Sequence, residues 1–183
     1  HGISPAGQRG YHILGYLAQT NVLCLGPRQG KQPTFTLLDE WVPDAITLPR
    51  EEALATVARR YFAGHGPAIL QDFVWWSGLK LSDARTAIAL AGDALAAIDA
   101  AGRTYYVGAG QLDVPLAAPA DDSPRVTLLP GFDEYLLGYQ DRSLALDPQD
   151  ANRIAPGSNG MFLATILVDG RVQGLWKRTL KRK

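Results

Sequence analysis

Residues 51–107 read EEALATVARRYFAGHGPAILQDFVWWSGLKLSDARTAIALAGDALAAIDAAGRTYYV, and the spacing of apolar residues in this stretch decides the fold. The first apolar residues recur at intervals of three and four, which is one face of a helix with 3.6 residues per turn. They are Leu54, Val57, Ala58, Tyr61 and Phe62. The stretch therefore begins with an amphipathic helix, which the glycines at 64 and 66 are expected to end.

Two further helices are predicted in the same stretch. Pro67 has the φ of a first helical residue and is expected to open the second helix, which Gly78 ends. Ser82 is the expected N-cap of the third helix, and Gly92 closes it.

A β-hairpin follows the third helix. Residues 95–98 and 104–107 flank a turn at Ala100-Ala101-Gly102-Arg103, which is the pattern of two short paired strands. Three helices followed by a hairpin is the element order of a winged helix. Because the winged helix is a variant of the helix-turn-helix, nucleic acid is the first partner to consider.

Composition excludes several kinds of site. Eighteen Lys and Arg residues balance eighteen Asp and Glu residues, so no overall field draws the chain to polyanions. Cys24 is the single cysteine, which excludes an intramolecular disulfide and a cysteine zinc cluster. No apolar run approaches the roughly 20 residues of a membrane span. We expect a cytoplasmic protein without metal, cofactor or membrane contact.

Charge is nevertheless distributed unevenly along the chain. Acidic residues outnumber basic ones between positions 113 and 170, whereas every charge from Arg171 onward is positive. Lys177, Arg178, Lys181 and Arg182 are therefore candidate phosphate contacts. A solvated chain end would have the same composition, so this alternative stays open.

The chain divides into three predicted segments. Residues 1–48 contain a helix and then a hairpin with Arg28 and Lys31 at its turn, which is the rear half of a winged helix. Residues 49–112 form a complete winged helix, and residues 113–183 form a C-terminal part expected to be mainly β. The final hairpin looks unfinished at its end, which favours a fragment of a longer chain. The predicted fold class is α+β.

The third helix of the winged helix is the expected recognition helix. Its outward face should present Ser82, Arg85 and Thr86, and Arg85 could contact a phosphate or a guanine. Arg103 at the wing tip is a second candidate. The alternative is a winged helix used as a scaffold for protein contacts.

Two other groups of residues could have either a functional or a purely structural role. Trp75 and Trp76 could stack on bases, although packing of one of them in the core is favoured. The string from Phe132 to Ser143 contains the weak catalytic candidates Asp133, Asp141 and Arg142. The alternative there is an internal network in which Arg142 pairs with Asp133 or Asp141.

Three strings resemble the bacterial AlkZ-like winged-helix DNA-binding family. They are YF…GHGPA…DFVWWSGL within 61–79, LPGFDEYLLGYQDRS at 129–143, and NG…TILVDG…GLW within 159–176. The resemblance covers nearly the whole chain. It implies tandem winged helices with a β-rich C-terminal part, double-stranded DNA as partner, and an activity of the parent protein that excises bulky alkylated bases and unhooks interstrand crosslinks.

The resemblance also implies a catalytic motif of glutamine, an apolar residue and then glutamine or an acid, located in the N-terminal part of such proteins. Gln111-Leu112-Asp113 has this spelling but follows the wing, which is the wrong position. We therefore expect the chain to bind DNA without cleaving a glycosidic bond. The alternatives are a non-enzymatic DNA-binding or regulatory protein and a protein scaffold.

Overall fold

A computed structural model describes residue 4 and residues 7–113, 123–158 and 160–180. The chain separates into two compact units, His1–Leu48 and Pro49–Lys183. We describe each unit by itself. The predicted boundary between residues 112 and 113 lies inside the second unit.

The first unit contains the predicted helix and hairpin. Its elements are α1 (Arg9–Gln19), β1 (Leu23–Gln29), β2 (Gln32–Leu37) and α2 (Leu38–Trp41). Strands β1 and β2 are antiparallel, and Gly30 has a φ of 62° at their turn. Helix α2 is a single turn that directly follows β2.

The second unit begins with three helices and a three-stranded sheet. The elements are α3 (Arg50–His65), β3 (Ala68–Ile69), α4 (Leu70–Ser77), α5 (Leu81–Ala91), β4 (Leu95–Ala100) and β5 (Arg103–Gly108). The strands are antiparallel in the order β3-β5-β4. The predicted three helices and hairpin are present, and the added strand β3 pairs with β5. The winged-helix interpretation of this arrangement stays a prediction.

Two predicted helix starts are wrong. Pro67 does not open α4, because Ala68 and Ile69 pair with β5 before the helix begins. Ser82 is not an N-cap, because α5 already begins at Leu81 and Lys80 occupies the cap position without a side-chain hydrogen bond. The predicted ends are correct, since Gly78 and Gly92 follow the last helical residues with φ of 68° and 53°.

The main core is built on α3. Tyr61, Phe62 and Phe73 are almost completely buried and contact one another through their rings. Small residues of α5, Ala84 and Ala87, face them and are fully buried. Large aromatics opposite small alanines allow α5 to approach α3 closely, as dense packing requires.

The C-terminal part is less β-rich than expected. Its strands β6 (Val126–Leu129), β7 (Thr165–Val168) and β8 (Arg171–Leu175) form one antiparallel sheet in the order β6-β7-β8. Two short helices lie between β6 and β7, namely α6 (Glu134–Leu137) and α7 (Ala151–Ile154). A small core of Leu136, Leu146 and Ile154 joins these helices to the sheet. The fold is α+β, as predicted.

Within the described ranges no helix is long and apolar enough to cross a lipid bilayer. The same residues contain no cluster of three or more His, Cys, Asp or Glu side chains that could hold a metal ion.

Candidate nucleic-acid interface and its neighbouring network

Helix α5 presents the predicted polar face to solvent. Ser82, Arg85 and Thr86 are exposed, while Ala84 and Ala87 on the opposite face are buried. The Thr86 hydroxyl donates to the carbonyl oxygen of Ser82 at 3.0 Å, which is a bond within the helix. The outward face is therefore open to solvent, and its one arginine is accessible.

The acidic residue of α5 is neutralised locally. Asp83 forms an ion pair with Arg50, the first residue of α3, at 3.0 Å. Arg85 makes no ion pair with any residue that the structure describes. Arg85 is consequently an uncompensated positive charge on an exposed helix face, although the whole chain is neutral.

Arg103 lies at the tip of the β4–β5 hairpin, where it was predicted. Its guanidinium forms an ion pair with Asp141. Hydrogen bonds from Ser143 and, to a smaller extent, from Arg103 lower the pKa of Asp141 to about 2. Arg103 is about half exposed, so a phosphate at this position would compete with a carboxylate that is ionised at neutral pH.

The string from Phe132 to Ser143 is anchored on α4 by one buried carboxylate. Asp72 is 3% exposed, and its Oδ1 accepts hydrogen bonds from the backbone nitrogens of Gln140 and Asp141 at 2.9 and 3.0 Å. Its Oδ2 accepts from the backbone nitrogen of Ile69 at 3.1 Å. One side chain therefore both caps α4 and fixes the C-terminal part against it.

Two tyrosine hydroxyls strengthen this attachment. Tyr61 of α3 donates to the carbonyl oxygen of Gly138 at 2.8 Å, and Tyr139 donates to the carbonyl oxygen of His65 at 2.8 Å. Burial, with a smaller contribution from Asp72, raises the pKa of both hydroxyls. Both groups stay protonated and serve as donors at physiological pH.

Two tryptophans of α4 also bond to the string, and neither is a core residue. Trp75 is 53% and Trp76 is 41% exposed, so the expectation that one of them is buried is wrong. The Trp75 indole nitrogen donates to the carbonyl oxygen of Leu137 at 3.3 Å, and that of Trp76 donates to the Glu134 carboxylate at 3.2 Å. Their polar ends are therefore engaged in tertiary contacts.

His65 completes this cluster. Its Nε2 lies 3.2 Å from the same Glu134 oxygen, and its ring stacks on Tyr61 with centroids 4.6 Å apart. Gly138 packs against it so closely that a Cβ at that position would lie 2.6 Å from the His65 Cδ2. His65 is thus part of the docking contact between α3 and α6.

The three weak catalytic candidates occupy structural positions. Asp133 is the N-cap of α6 and accepts from the backbone nitrogen of Tyr135 at 2.9 Å. Arg142 donates through Nε to the carbonyl oxygen of Leu136 at 2.6 Å, and burial lowers its pKa. The expected pairing of Arg142 with Asp133 or Asp141 is wrong, because Asp141 pairs with Arg103 instead.

Comparison with known proteins assigns the family. The model of the family described as DNA glycosylase AlkZ-like matches residues 2–183. The chain belongs to the AlkZ-like DNA glycosylase family. A curated relative, the interstrand DNA cross-link repair glycosylase of Streptomyces sahachiroi, is 33% identical over 171 residues. That alignment covers 90% of this chain and 45% of the relative.

A solved structure has the same fold as this AlkZ-like chain. Streptomyces sahachiroi DNA glycosylase AlkZ matches it with a TM-score of 0.74 and 28% identity, over 94% of this chain and 50% of that one. The AlkZ-like chain thus spans about half the length of the relatives that it matches.

The string Gln111-Leu112-Asp113 of this AlkZ-like chain has a structural use. The Gln111 side-chain oxygen accepts from the backbone nitrogen of Gly108 at 3.2 Å, and its nitrogen donates to the carbonyl oxygen of Ala63 at 2.8 Å. Both ends of the amide are therefore engaged within the chain. These two bonds hold the amide against α3 and the end of β5.

The remaining basic candidates lie on the surface of the AlkZ-like chain. Arg28, Lys31, Lys177 and Arg178 are exposed. Arg28 is in strand β1, and Lys31 is in the turn that follows it. Lys181 and Arg182 lie outside the described residues.

Asp72 is the residue that sequence reasoning missed. It is the third residue of α4, where an acidic side chain can cap the helix start, but the N-cap itself is Ile69. Because the cap is not Ser, Thr, Asp or Asn, the sequence lacks the usual signal for the start of a helix at this position. Its partners at 140 and 141 are a tertiary contact that local sequence does not encode.

Proposed function

We propose that this chain is the DNA-binding part of a glycosylase that acts on alkylated or crosslinked bases in duplex DNA. Family membership supports the DNA partner and the class of reaction. We propose further that residues 1–48, 49–112 and 113–183 correspond to a partial winged helix, a complete winged helix and a C-terminal domain.

One observation carries the proposal, namely the solvent-exposed polar face of α5. Ser82, Arg85 and Thr86 point to solvent from a helix whose other face is buried in the core. This is the disposition that a helix needs to enter a major groove. A guanidinium there can bond a phosphate or the O6 and N7 atoms of guanine.

We propose that the catalytic motif is not among these residues. Gln111 is bonded at both ends of its amide to backbone groups, and Asp133 caps a helix. Cleavage of an N-glycosidic bond needs a group within hydrogen-bond reach of an attacking water. The chain should therefore bind duplex DNA and leave its glycosidic bonds intact.

Fluorescence anisotropy with a labelled short duplex tests DNA binding. Arg85→Ala removes one charge-assisted contact, worth about 1.5–3 kcal/mol, and we expect affinity to fall about tenfold or more. The slope of log affinity against log salt should also decrease by about 1.

Arg153→Ala is the matched control, because it also removes one positive charge from an exposed side chain that lies on α7. Equal losses for both variants would indicate a non-specific charge effect and would contradict the role of α5. Absence of binding by the wild-type chain at low salt would favour a protein scaffold instead.

A glycosylase assay on a duplex with N7-alkylguanine tests the second part of the proposal. We expect no base release by this chain. Release at a rate above that of the free duplex, and lost in Gln111→Ala, would overturn the assignment of a purely binding role.

A further inference from the structure

A second candidate site lies in the C-terminal part, apart from α5. It is a cleft of about 600 Å³ bounded by Trp75 of α4, the segment after α6, and α7 with Phe162. No residue of α5 lines it. Its volume falls within the roughly 300–1,000 Å³ of small-molecule sites.

Arg142 lines this cleft in an incomplete environment. Its Cζ lies 5.8 Å from the ring centroid of Trp75 and 5.0 Å from that of Phe162. Nε is bonded to the carbonyl oxygen of Leu136, whereas Nη2 is buried without any hydrogen-bond partner among the described residues. The Nη2 hydrogens are therefore unsatisfied, and a ligand in the cleft would need only a small shift of the side chain to accept from them.

No described carboxylate pairs with this guanidinium. Asp141 is bonded to Arg103, and the oxygens of Asp72 are bonded to backbone nitrogens. The nearby Asp72 carboxylate raises the pKa of Arg142 less than burial lowers it. Burial of this cation therefore carries a net cost, and arginine does not escape the cost by losing its proton. The rings of Trp75 and Phe162 offset part of this cost. The remaining N–H groups need an acceptor.

We propose that this cleft binds one nucleotide of a DNA strand, with the phosphate on the guanidinium of Arg142. The planar fork of a guanidinium matches two phosphate oxygens. A phosphodiester would supply the hydrogen-bonded acceptor that no described carboxylate gives to Nη2. This inference goes beyond the proposed contact of α5 with duplex DNA.

The rest of the cleft suits the sugar and base. Leu146, Ala155 and Phe162 supply apolar lining, and Trp75 exposes about half of its surface for stacking. The Asn152 oxygen accepts from the backbone nitrogen of Gly157 at 3.3 Å, which leaves its amide nitrogen for a base edge. A bare anion would leave most of this volume unused.

NMR titration of the whole chain with the dinucleotide dTpT tests the proposal. The side-chain Nε–H of Arg142 reports on the site, since it is held by Leu136. We expect its resonance to shift and saturate with dTpT. Inorganic phosphate should bind at least tenfold more weakly, and single-stranded oligothymidylate at least as tightly as dTpT. An unmoved resonance, or equal affinity for inorganic phosphate, would overturn nucleotide binding.

Two variants remove the site by different routes. Arg142→Met keeps an apolar stem between the rings but removes the cation, and Ala151→Trp places a large side chain at an exposed position that lines the cleft. We expect each to weaken dTpT binding at least tenfold, with Arg153→Ala unchanged. Should Arg142→Met fail to fold, Ala151→Trp decides the question. Undiminished binding by the folded variants would refute the proposal.

Arg85→Ala separates this site from the proposed function. It should weaken duplex binding while leaving dTpT affinity unchanged. Loss of dTpT binding in Arg85→Ala would contradict two separate sites. A chain that binds dTpT but no duplex would contradict the proposed function alone.

Discussion

Asp72 joins α4 to the C-terminal part through three backbone hydrogen bonds. In Asp72→Asn one of the two acceptor oxygens becomes a donor, which would face a backbone N–H and leave it unpaired. We expect the free energy of unfolding to fall by about 1–3 kcal/mol. Urea unfolding measures this loss.

Asp113→Asn is the control for this substitution. Asp113 is exposed, and its replacement by Asn removes the same negative charge. Equal midpoints for Asp72→Asn and Asp113→Asn would show that the carboxylate does not anchor the C-terminal part.

Asp141 links stability to pH. Hydrogen bonds from Ser143, followed by that from Arg103, lower its pKa to about 2, below the roughly 3.9 of an unfolded aspartate. A carboxylate with a depressed pKa contributes stability above its unfolded pKa and loses it as pH falls through the folded value. We expect unfolding midpoints to decline between about pH 4 and pH 2. Asp141→Asn should flatten this decline, and an unchanged profile would contradict the pairing.

The positions of single residues were predictable only where periodicity decides them. Alternation of small apolar and polar residues along 82–91 placed Arg85 on the outside, and it is exposed. The roles of Asp133 and Arg142 were not predictable. Their partners are helix ends and carbonyl groups that exist only after α6 forms.

At the scale of elements, α6 rests on α3 through a glycine. A Cβ on Gly138 would lie 2.6 Å from the His65 Cδ2 and 2.8 Å from the carbonyl oxygen of Glu134. Gly138→Ala must therefore displace α6 or the imidazole, and we expect a loss of about 1–3 kcal/mol. Thermal unfolding followed by circular dichroism measures it.

Gly64→Ala provides the comparison, since Gly64 lies in α3 and a Cβ added there would meet no described atom within 4 Å. That substitution should be neutral or stabilising, by up to about 1 kcal/mol. A similar loss in both variants would contradict the close approach at Gly138.

Long elements could be predicted, and short ones could not. Helix α3 has 16 residues and several turns of apolar periodicity, whereas α6 and α7 have four residues each, too few for a period to appear. Strand β3 has two residues and exists because β5 offers an edge to pair with. Tertiary context therefore decides the elements that the sequence analysis missed.

For the whole molecule, the two units differ in how much they bury. Among the described residues of the first 48, none is buried, and Tyr11 is 80% and Leu25 66% exposed. A unit without a core cannot offset the conformational entropy of folding. We expect residues 49–183 to unfold cooperatively by themselves and residues 1–48 to be unstructured when isolated.

Amide NMR spectra of the two separate pieces check this expectation. A well-dispersed spectrum from residues 1–48 alone would contradict it. So would the loss of cooperative unfolding when residues 1–48 are removed from the chain.

The attachment made by Asp72 has an evolutionary consequence. Its carboxylate bonds to peptide nitrogens at 140 and 141, and not to their side chains. The bonds to Asp72 therefore place no constraint on the side chains at those two positions, proline excepted, although Asp141 is constrained separately by its pairing with Arg103. Relatives would show an invariant acid with no covarying partner, so a search for correlated substitutions would pass over this polar tie between two parts of the fold.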